Sequence, residues 1–292
     1  MSVYSNKQKI IVILGQTAAG KSALAVKMAR KIGGEVVSAD SRQVYKGLDI
    51  GSGKITKKEM RGVPHHLLDV ASPKRRFTAA QYQKLAMAAI KKILARGKTP
   101  IICGGTGLYI DSITKGIVFP EVPPNQAMRN LLEKKGADEL FKLLRKIDPK
   151  RAKNIDAKNK VRLVRAIEIA KKLGRVPPLP SRAEGNPASK YEFMKIGLKL
   201  PENELKRKIK KRLLARMKEG MVSEVRKLHE DSLSWRRLEE LGLEYRYVAQ
   251  YLQKKISREE MLSKIKTESW RYAKRQMQWF KRDKEIKWKG GR

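Results

Sequence analysis

Residues 15 to 22 read Gly15-Gln16-Thr17-Ala18-Ala19-Gly20-Lys21-Ser22, directly after the apolar run Ile10 to Leu14. Two glycines, a lysine and a hydroxyl at this spacing form a P-loop, whose backbone N–H groups wrap a phosphate. Gly15 and Gly20 allow the tight path. Lys21 brings a point charge, and the Ser22 hydroxyl suits Mg²⁺. A helix opening at Lys21 adds the positive end of its dipole. The motif by itself means binding of a di- or triphosphate and does not say what the phosphate belongs to.

Asp40 is the second group with chemistry in it, within Ser38-Ala39-Asp40-Ser41-Arg42-Gln43. A carboxylate at a strand end opposite a P-loop can hold Mg²⁺ or take a proton as a general base. The competing reading is a helix cap; the position opposite the P-loop favours chemistry. Gly104-Gly105-Thr106-Gly107 follows a strand and opens a helix, and reads as a second wall of the same site. The Gly-rich stretch Lys46 to Lys54 means no more than a turn when taken alone. His65 and His66 are adjacent, with no Cys or third His nearby in sequence, so an orienting role is expected rather than a metal site. His229 is expected at the surface.

Basic residues supply the remaining signals. Arg162 and Arg165 are three apart on one helix face. Lys274 to Arg282 interleaves cations with aromatics. Both segments suit an RNA backbone or stacked bases, although Trp279 and Phe280 read more readily as core. Leu205, Ile209, Leu213 and Met217 form a core stripe that leaves the arginines of the same helix free.

These groups need a scaffold. Ile10–Leu14, Glu35–Ser38 and Thr99–Cys103 read as buried strands, Lys21–Ile32 and the stretch from a Thr78 cap to Ala95 as helices. Strand alternating with helix implies an α/β fold, a P-loop NTPase-like parallel sheet flanked by helices. In such sheets ligands sit beyond the carboxyl ends of the strands. Pro120 to Pro124 reads as a linker. Helical patterns rich in Lys and Arg follow, over Gln126–Lys134, Ala137–Lys146 and Asn159–Leu173, and Val176–Pro187 is irregular. Tyr191–Leu200 reads as a strand returning to the sheet, and helices fill the rest to the C-terminus, with breaks near Gly220, near Gly242 and before Ser257. The expected organisation is a catalytic α/β domain over 1–115 and 188–292, including a helical C-terminal region, and a helical insertion domain over 116–187.

Among 292 residues, 68 are Lys or Arg and 29 Asp or Glu, a net charge of +39. That excess calls for a polyanionic partner, most simply nucleic acid. Cys103 is the single cysteine, so no internal disulfide can form and a reducing cytoplasm fits. No apolar run approaches the length of a membrane span or a signal peptide core.

The motifs in their order, Gly15–Ser22, Ser38–Lys54, Pro64–Val70, Gly104–Ile110, Val161–Ile169 and Ala273–Phe280, resemble those of the tRNA dimethylallyltransferase (tRNA isopentenyltransferase) family, in its bacterial form. The resemblance implies transfer of a dimethylallyl group from dimethylallyl diphosphate to N6 of the adenine 3′ of the anticodon, in tRNAs reading codons that begin with U. It implies Asp40 as base, with Thr106 and Arg212 as further catalytic contacts, Gly15, Gln16, Thr17, Ala18, Ala19, Gly20, Lys21 and Ser22 on the diphosphate, and Mg²⁺ on Ser22. Its tRNA contacts fall on Asp40, Ser41, Arg42, Gln43, Thr106 and Arg129, on Val161, Arg162, Leu163, Val164 and Arg165, and on Lys274, Arg275, Gln276, Met277, Gln278, Trp279, Phe280, Lys281 and Arg282. The insertion would grip the anticodon stem. A cytoplasmic monomer without a zinc finger is expected. The chain departs from the family at Gly242-Leu243-Glu244, where Gly-Tyr-Lys/Arg is common, and at Lys208, where an arginine is common. Alternatives are an adenylate isopentenyltransferase acting on free AMP, a P-loop kinase or RNA-dependent NTPase binding ATP, and a non-catalytic RNA-binding protein.

Overall fold

A computed structural model describes residues 7–177 and 187–290. Strands β1 (Gln8–Gly15), β2 (Glu35–Ala39), β3 (His65–His66), β4 (Pro100–Gly104), β5 (Tyr191–Leu198) and β6 (Lys287–Lys289) form one sheet. Their order is β3-β2-β4-β1-β5-β6, and every pairing is parallel. Helices α1 (Lys21–Ile32), α2 (Lys57–Met60), α3 (Ala79–Ala95) and α4 (Gly107–Thr114) lie along the first part of the chain. Between α4 and β5 come α5 (Gln126–Glu133), α6 (Ala137–Ile147), α7 (Pro149–Ala152) and α8 (Lys160–Leu173). After β5 come α9 (Glu202–Lys218), α10 (Met221–Glu230), α11 (Trp235–Leu241), α12 (Leu243–Leu252) and α13 (Arg258–Phe280).

Parallel strands with helices on both faces are apolar over most of their length, and β1 shows why from Ile10 onward. Ile11 and Ile13 pack with Ala25, Val26 and Ala29 of α1. Ile10, Val12 and Leu14 face the opposite way, into the larger core with Tyr82 and Ile90 of α3 and Ile110 of α4. The two-residue period of a strand divides the run between two cores. Register then aligns the strand ends: Leu14 and Ala39 both sit opposite Gly104, and Gly15 opposite Leu198. A side chain at Gly15 would start 2.2 Å from the Leu198 carbonyl, and one at Gly104 would start 2.1 Å from that of Ala39. Only glycine lets the strands close at these points.

Two strands depart from the sequence reading. β3 is two residues long, and β6 forms where helix was expected to continue. A buried lysine explains β6. Lys195 of β5 donates to Asp283 at 2.6 Å and Glu285 at 2.9 Å, so these acids bring Lys287–Lys289 alongside β5. β3 carries His66, whose Nε2 lies 2.7 Å from buried Glu35, together with Arg96 at 2.7 Å and Lys98 at 3.1 Å. Burial raises the Glu35 carboxyl, but His66, Lys98 and Arg96 bring it down to about 2. His65 bonds the Val63 carbonyl at 2.8 Å. His229 is not a free surface group: its ring stacks on Trp235 at 3.6 Å and Nδ1 meets the Leu233 carbonyl at 2.8 Å.

The chain divides into two compact units, Met1–Gly116 with Glu184–Arg292, and Ile117–Ala183. Residues 178–186, most of the stretch read as irregular, lie outside the described residues. The second unit has its own core of Leu132, Leu140, Leu144, Leu163, Val164 and Ile167. Asn125 and Asn159 cap α5 and α8 through their side chains. At its centre Glu168 is 2 % exposed. It accepts from the Asn125 N–H at 2.6 Å, from Arg129 at 3.0 and 2.8 Å, and from Arg165. Burial raises its carboxyl, yet Arg129, the Asn125 N–H and Arg165 together hold it below its ordinary value. Glu168→Ala strands Arg129, so a loss of about 3–5 kcal/mol in denaturant unfolding is expected. Because the folded carboxyl is the stronger acid, the parent's advantage is complete above its unfolded value near ~4.3 and shrinks as pH falls below it.

No helix among the described residues is long and apolar enough to cross a membrane.

Candidate active site

The P-loop leaves β1 at Gly15 and enters α1 through Gly20, which caps the helix in a left-handed conformation (φ 91°) with no side chain on the first amides. Those amides stay open to an anion. Lys21 Nζ donates to the Gln16 carbonyl at 2.6 Å. Burial lowers the Lys21 pKa to about 8. A cavity of about 1530 Å³ opens beyond the strand ends. Its wall includes Thr17, Gly20, Lys21 and Ser22, then Asp40 to Gln43, Gly104 and Gly105, and from the C-terminal helices Arg212, Arg216, Glu244, Tyr272, Arg275 and Gln276.

Asp40 divides its work between its two oxygens. Oδ1 accepts from the N–H of Arg42 at 2.8 Å and of Gln43 at 3.4 Å, closing the turn after β2 as a capping residue does. Oδ2 takes no hydrogen bond from the described residues, so it can accept a proton from a bound molecule. Thr106 Oγ1 accepts from the Ser41 N–H at 3.0 Å, and its own N–H bonds the Ala39 carbonyl at 3.1 Å. The two loops after β2 and β4 are thus tied together.

Arg212 reaches Thr17 Oγ1 at 3.3 Å and the Gly53 carbonyl at 3.4 Å. Burial and the adjacent Arg216 lower its pKa to about 10, so it is a cation at neutral pH. The stretch Gly47–Lys54 is more than a turn. Glu224 Oε2 accepts from the N–H of Asp49 at 2.9 Å and of Ile50 at 2.6 Å; Oε1 accepts from Gly51 N–H and the Tyr245 hydroxyl, both at 2.9 Å. The Tyr245 oxygen accepts from the Ser52 N–H at 3.1 Å. This clamp turns the carbonyls of Gly51 and Gly53 toward Arg216 and Arg212. A side chain at Gly53 would start 1.8 Å from Arg216 Nη2.

The arginines of α9 are therefore not all free, as the core stripe alone implies. Arg216 is buried and bonded at 3.1 Å to both the Gly51 carbonyl and Glu244. That pair accounts for the departure at Glu244: a carboxylate stands there to neutralise a buried guanidinium. Lys208, the other departure, pairs with Glu204 at 2.9 Å. Glu224, Tyr245 and Arg216 gave no signal in the sequence beyond the glycines they demand at 51 and 53.

The basic segments separate by burial. Val161 is 80 % exposed and Arg162 is exposed, whereas Leu163 and Val164 are core and Arg165, like Arg129, is committed to Glu168. On α13, Lys274, Arg275 and Gln278 are exposed, as is Lys281 just past its end; Met277 is half-buried, and Gln276 and Phe280 turn inward. Trp279 Nε1 donates to Asp111 at 3.2 Å, and Arg282 lies 5.9 Å from its ring centre.

The profile of the family described as IPP transferase matches residues 43–283. A tRNA dimethylallyltransferase 2 of Treponema denticola is 43 % identical over 95 % of this chain and 93 % of its own length. The solved full-length tRNA isopentenylpyrophosphate transferase of Bacillus halodurans is 35 % identical, with a TM-score of 0.72, covering 97 % of this chain and 90 % of that one. A eukaryotic dimethylallyltransferase captured acting on tRNA is 25 % identical, with a TM-score of 0.79, covering 97 % of this chain and 74 % of that one.

Proposed function

The chain belongs to the IPP transferase family, and we propose that it moves a dimethylallyl group from dimethylallyl diphosphate to N6 of the adenine just 3′ of the anticodon in tRNAs reading codons that begin with U. The products are N6-(dimethylallyl)adenosine in tRNA and diphosphate. The observation that carries this reading is the convergence of a P-loop and a half-free carboxylate, Asp40 Oδ2, on one cavity large enough for an allylic diphosphate and a base.

In the proposed reaction the allylic C–O bond breaks and its electron pair leaves with the diphosphate. The open amides of α1, Lys21 and Arg212 surround that charge and stabilise it as it develops. N6 bonds to the allylic carbon, and its proton passes to Asp40 Oδ2. The lone pair of N6 is delocalised into the adenine ring, so removing the proton as the bond forms makes N6 a better nucleophile. To reach the cavity the adenine leaves the anticodon-loop stack. Thr106 holds the Ser41 backbone beside the base, and the exposed cations of α13 suit the RNA backbone. The helical unit, with Arg162 and Val161 at its surface, is assigned to the anticodon stem.

Among the described residues no group of three or more His, Cys, Asp or Glu side chains could hold a metal, while Ser22, in the first turn of α1, lies on the cavity wall. This donor set fits Mg²⁺, which keeps several waters and takes oxygens from substrate phosphates. When bound, the ion would offset charge on the departing diphosphate. We assign the reaction to the cytoplasm, where tRNA is found, and to a monomer.

Radiolabel from dimethylallyl diphosphate is expected to enter an anticodon stem-loop RNA carrying adenine at that position, and to enter AMP far more slowly. Equal labelling of AMP, or steady ATP turnover without the prenyl donor, would overturn the proposal.

A further inference from the structure

Gln276 sits on α13 among residues that suit RNA, yet it is 6 % exposed. Its carboxamide is used at both ends. Oε1 accepts from the Thr17 N–H of the P-loop at 2.7 Å, and Nε2 donates to the Gly105 carbonyl of the loop after β4 at 2.9 Å. A side chain at Gly105 would start 2.2 Å from that Nε2, so the glycine is required by the contact. β1 and β4 are neighbours in the sheet, and the two loops leave their ends side by side. The Gln276 amide spans the gap between them.

Only a group with a donor and an acceptor a carboxamide's width apart can do this. A glutamate would keep the acceptor and set a negative charge against the Gly105 carbonyl. A methionine of similar volume would offer neither. Thr17 is held a second time, through its hydroxyl, by Arg212. One residue of the phosphate loop is thereby tied to α9 and to α13, and its N–H is withdrawn from the set a phosphate can use. The anion is left to the amides that follow. The shape those amides take depends on where Thr17 is pinned.

We propose that Gln276 is a positioning residue that pins the P-loop to the Gly104–Gly107 loop, and so sets affinity for the prenyl diphosphate without touching RNA. The inference rests on the prenyl transfer reading for the identity of the donor. The pin itself can be read with inorganic pyrophosphate, whatever the reaction.

In the full chain, Gln276→Met is expected to raise the Kd of Mg²⁺-pyrophosphate and the KM for dimethylallyl diphosphate about tenfold each. The Kd for anticodon stem-loop RNA should stay within twofold and kcat within threefold. Gln276→Glu adds a signature that a purely structural role would not give. Relative to the parent at each pH, its pyrophosphate Kd should be worse at pH 8 than at pH 5.5, because burial against the Gly105 carbonyl raises the new carboxyl and proton uptake at the lower pH restores both donor and acceptor. If thermal unfolding shows that the methionine variant does not fold, the pH ratio of the glutamate variant decides. A tenfold loss of RNA affinity with pyrophosphate binding unchanged would overturn the proposal and make Gln276 an RNA contact; so would pyrophosphate binding unchanged in both variants. If the parent binds pyrophosphate but transfers no label to RNA, the prenyl transfer reading fails while the pin remains measurable.

Discussion

Asp40→Asn is expected to lower kcat about 10³-fold while the Kd for anticodon stem-loop RNA stays within about twofold. The choice of asparagine follows from the split duties of the carboxylate. Its Oδ1 still accepts from the Arg42 and Gln43 N–H groups, so the turn after β2 keeps its shape. At the other position, a carboxylate oxygen that could accept the N6 proton becomes an amide that cannot. Asp40→Ala removes both functions, and should add to the kinetic loss a measurable fall in RNA affinity as Arg42 and Gln43 lose their anchor. Single-turnover labelling with saturating RNA and donor separates chemistry from binding. An asparagine variant turning over within tenfold of the parent would leave Asp40 only its capping role.

Lys21→Met is expected to cost about 10²–10³ in kcat/KM for the prenyl donor, and to abolish a pH dependence present in the parent. Burial lowers the Lys21 pKa to about 8, with Arg212 pushing in the same direction. Below that value the ammonium is charged and attracts the diphosphate; above it the amine is neutral and the attraction fades. The ratio of parent to variant pyrophosphate affinity should therefore fall roughly tenfold between pH 7 and pH 9, as Lys21 loses its proton, the ligand's own ionisation cancelling in the ratio. The ammonium also donates to the Gln16 carbonyl at 2.6 Å, which fixes it within the loop it serves. A ratio flat from pH 7 to pH 9 would place the Lys21 titration elsewhere.

The parts of this protein that were legible in the sequence are those where one short stretch does the work. The P-loop is readable because wrapping a phosphate requires glycines at set intervals, and β1, α1, β2, α3 and β4 because each carries its own period and stop signals. β6 was not readable. Lys287-Trp288-Lys289 has little strand character, and it pairs with β5 because Asp283 and Glu285 answer a buried lysine about 90 residues earlier. The clamp of Glu224 and Tyr245 was hidden for the same reason: a glutamate on an amphipathic helix looks like a solvated one until the amides of residues 49 to 52 are folded onto it. Gln276 is different, because a signal existed. Ser269, Ala273, Gln276 and Phe280 are buried at steps of four, three and four, the inward stripe of a helix. Read by period rather than by its basic neighbours, Gln276 falls inside.

The sheet order bears on how the protein is made. Gln8 of β1 pairs with Tyr191 of β5, so the strand that carries the phosphate loop cannot find one of its two neighbours until most of the chain has left the ribosome. At ~5–20 residues per second that is a wait of roughly 10–40 s. During this interval β1 has an open edge. The segment 117–183, with its own apolar core, emerges in the meantime and can begin to order. Lys195 then waits in turn for Asp283 and Glu285. A nascent chain arrested before residue 283 would hold an unpaired lysine where the finished sheet buries one, and would be a natural client for chaperones.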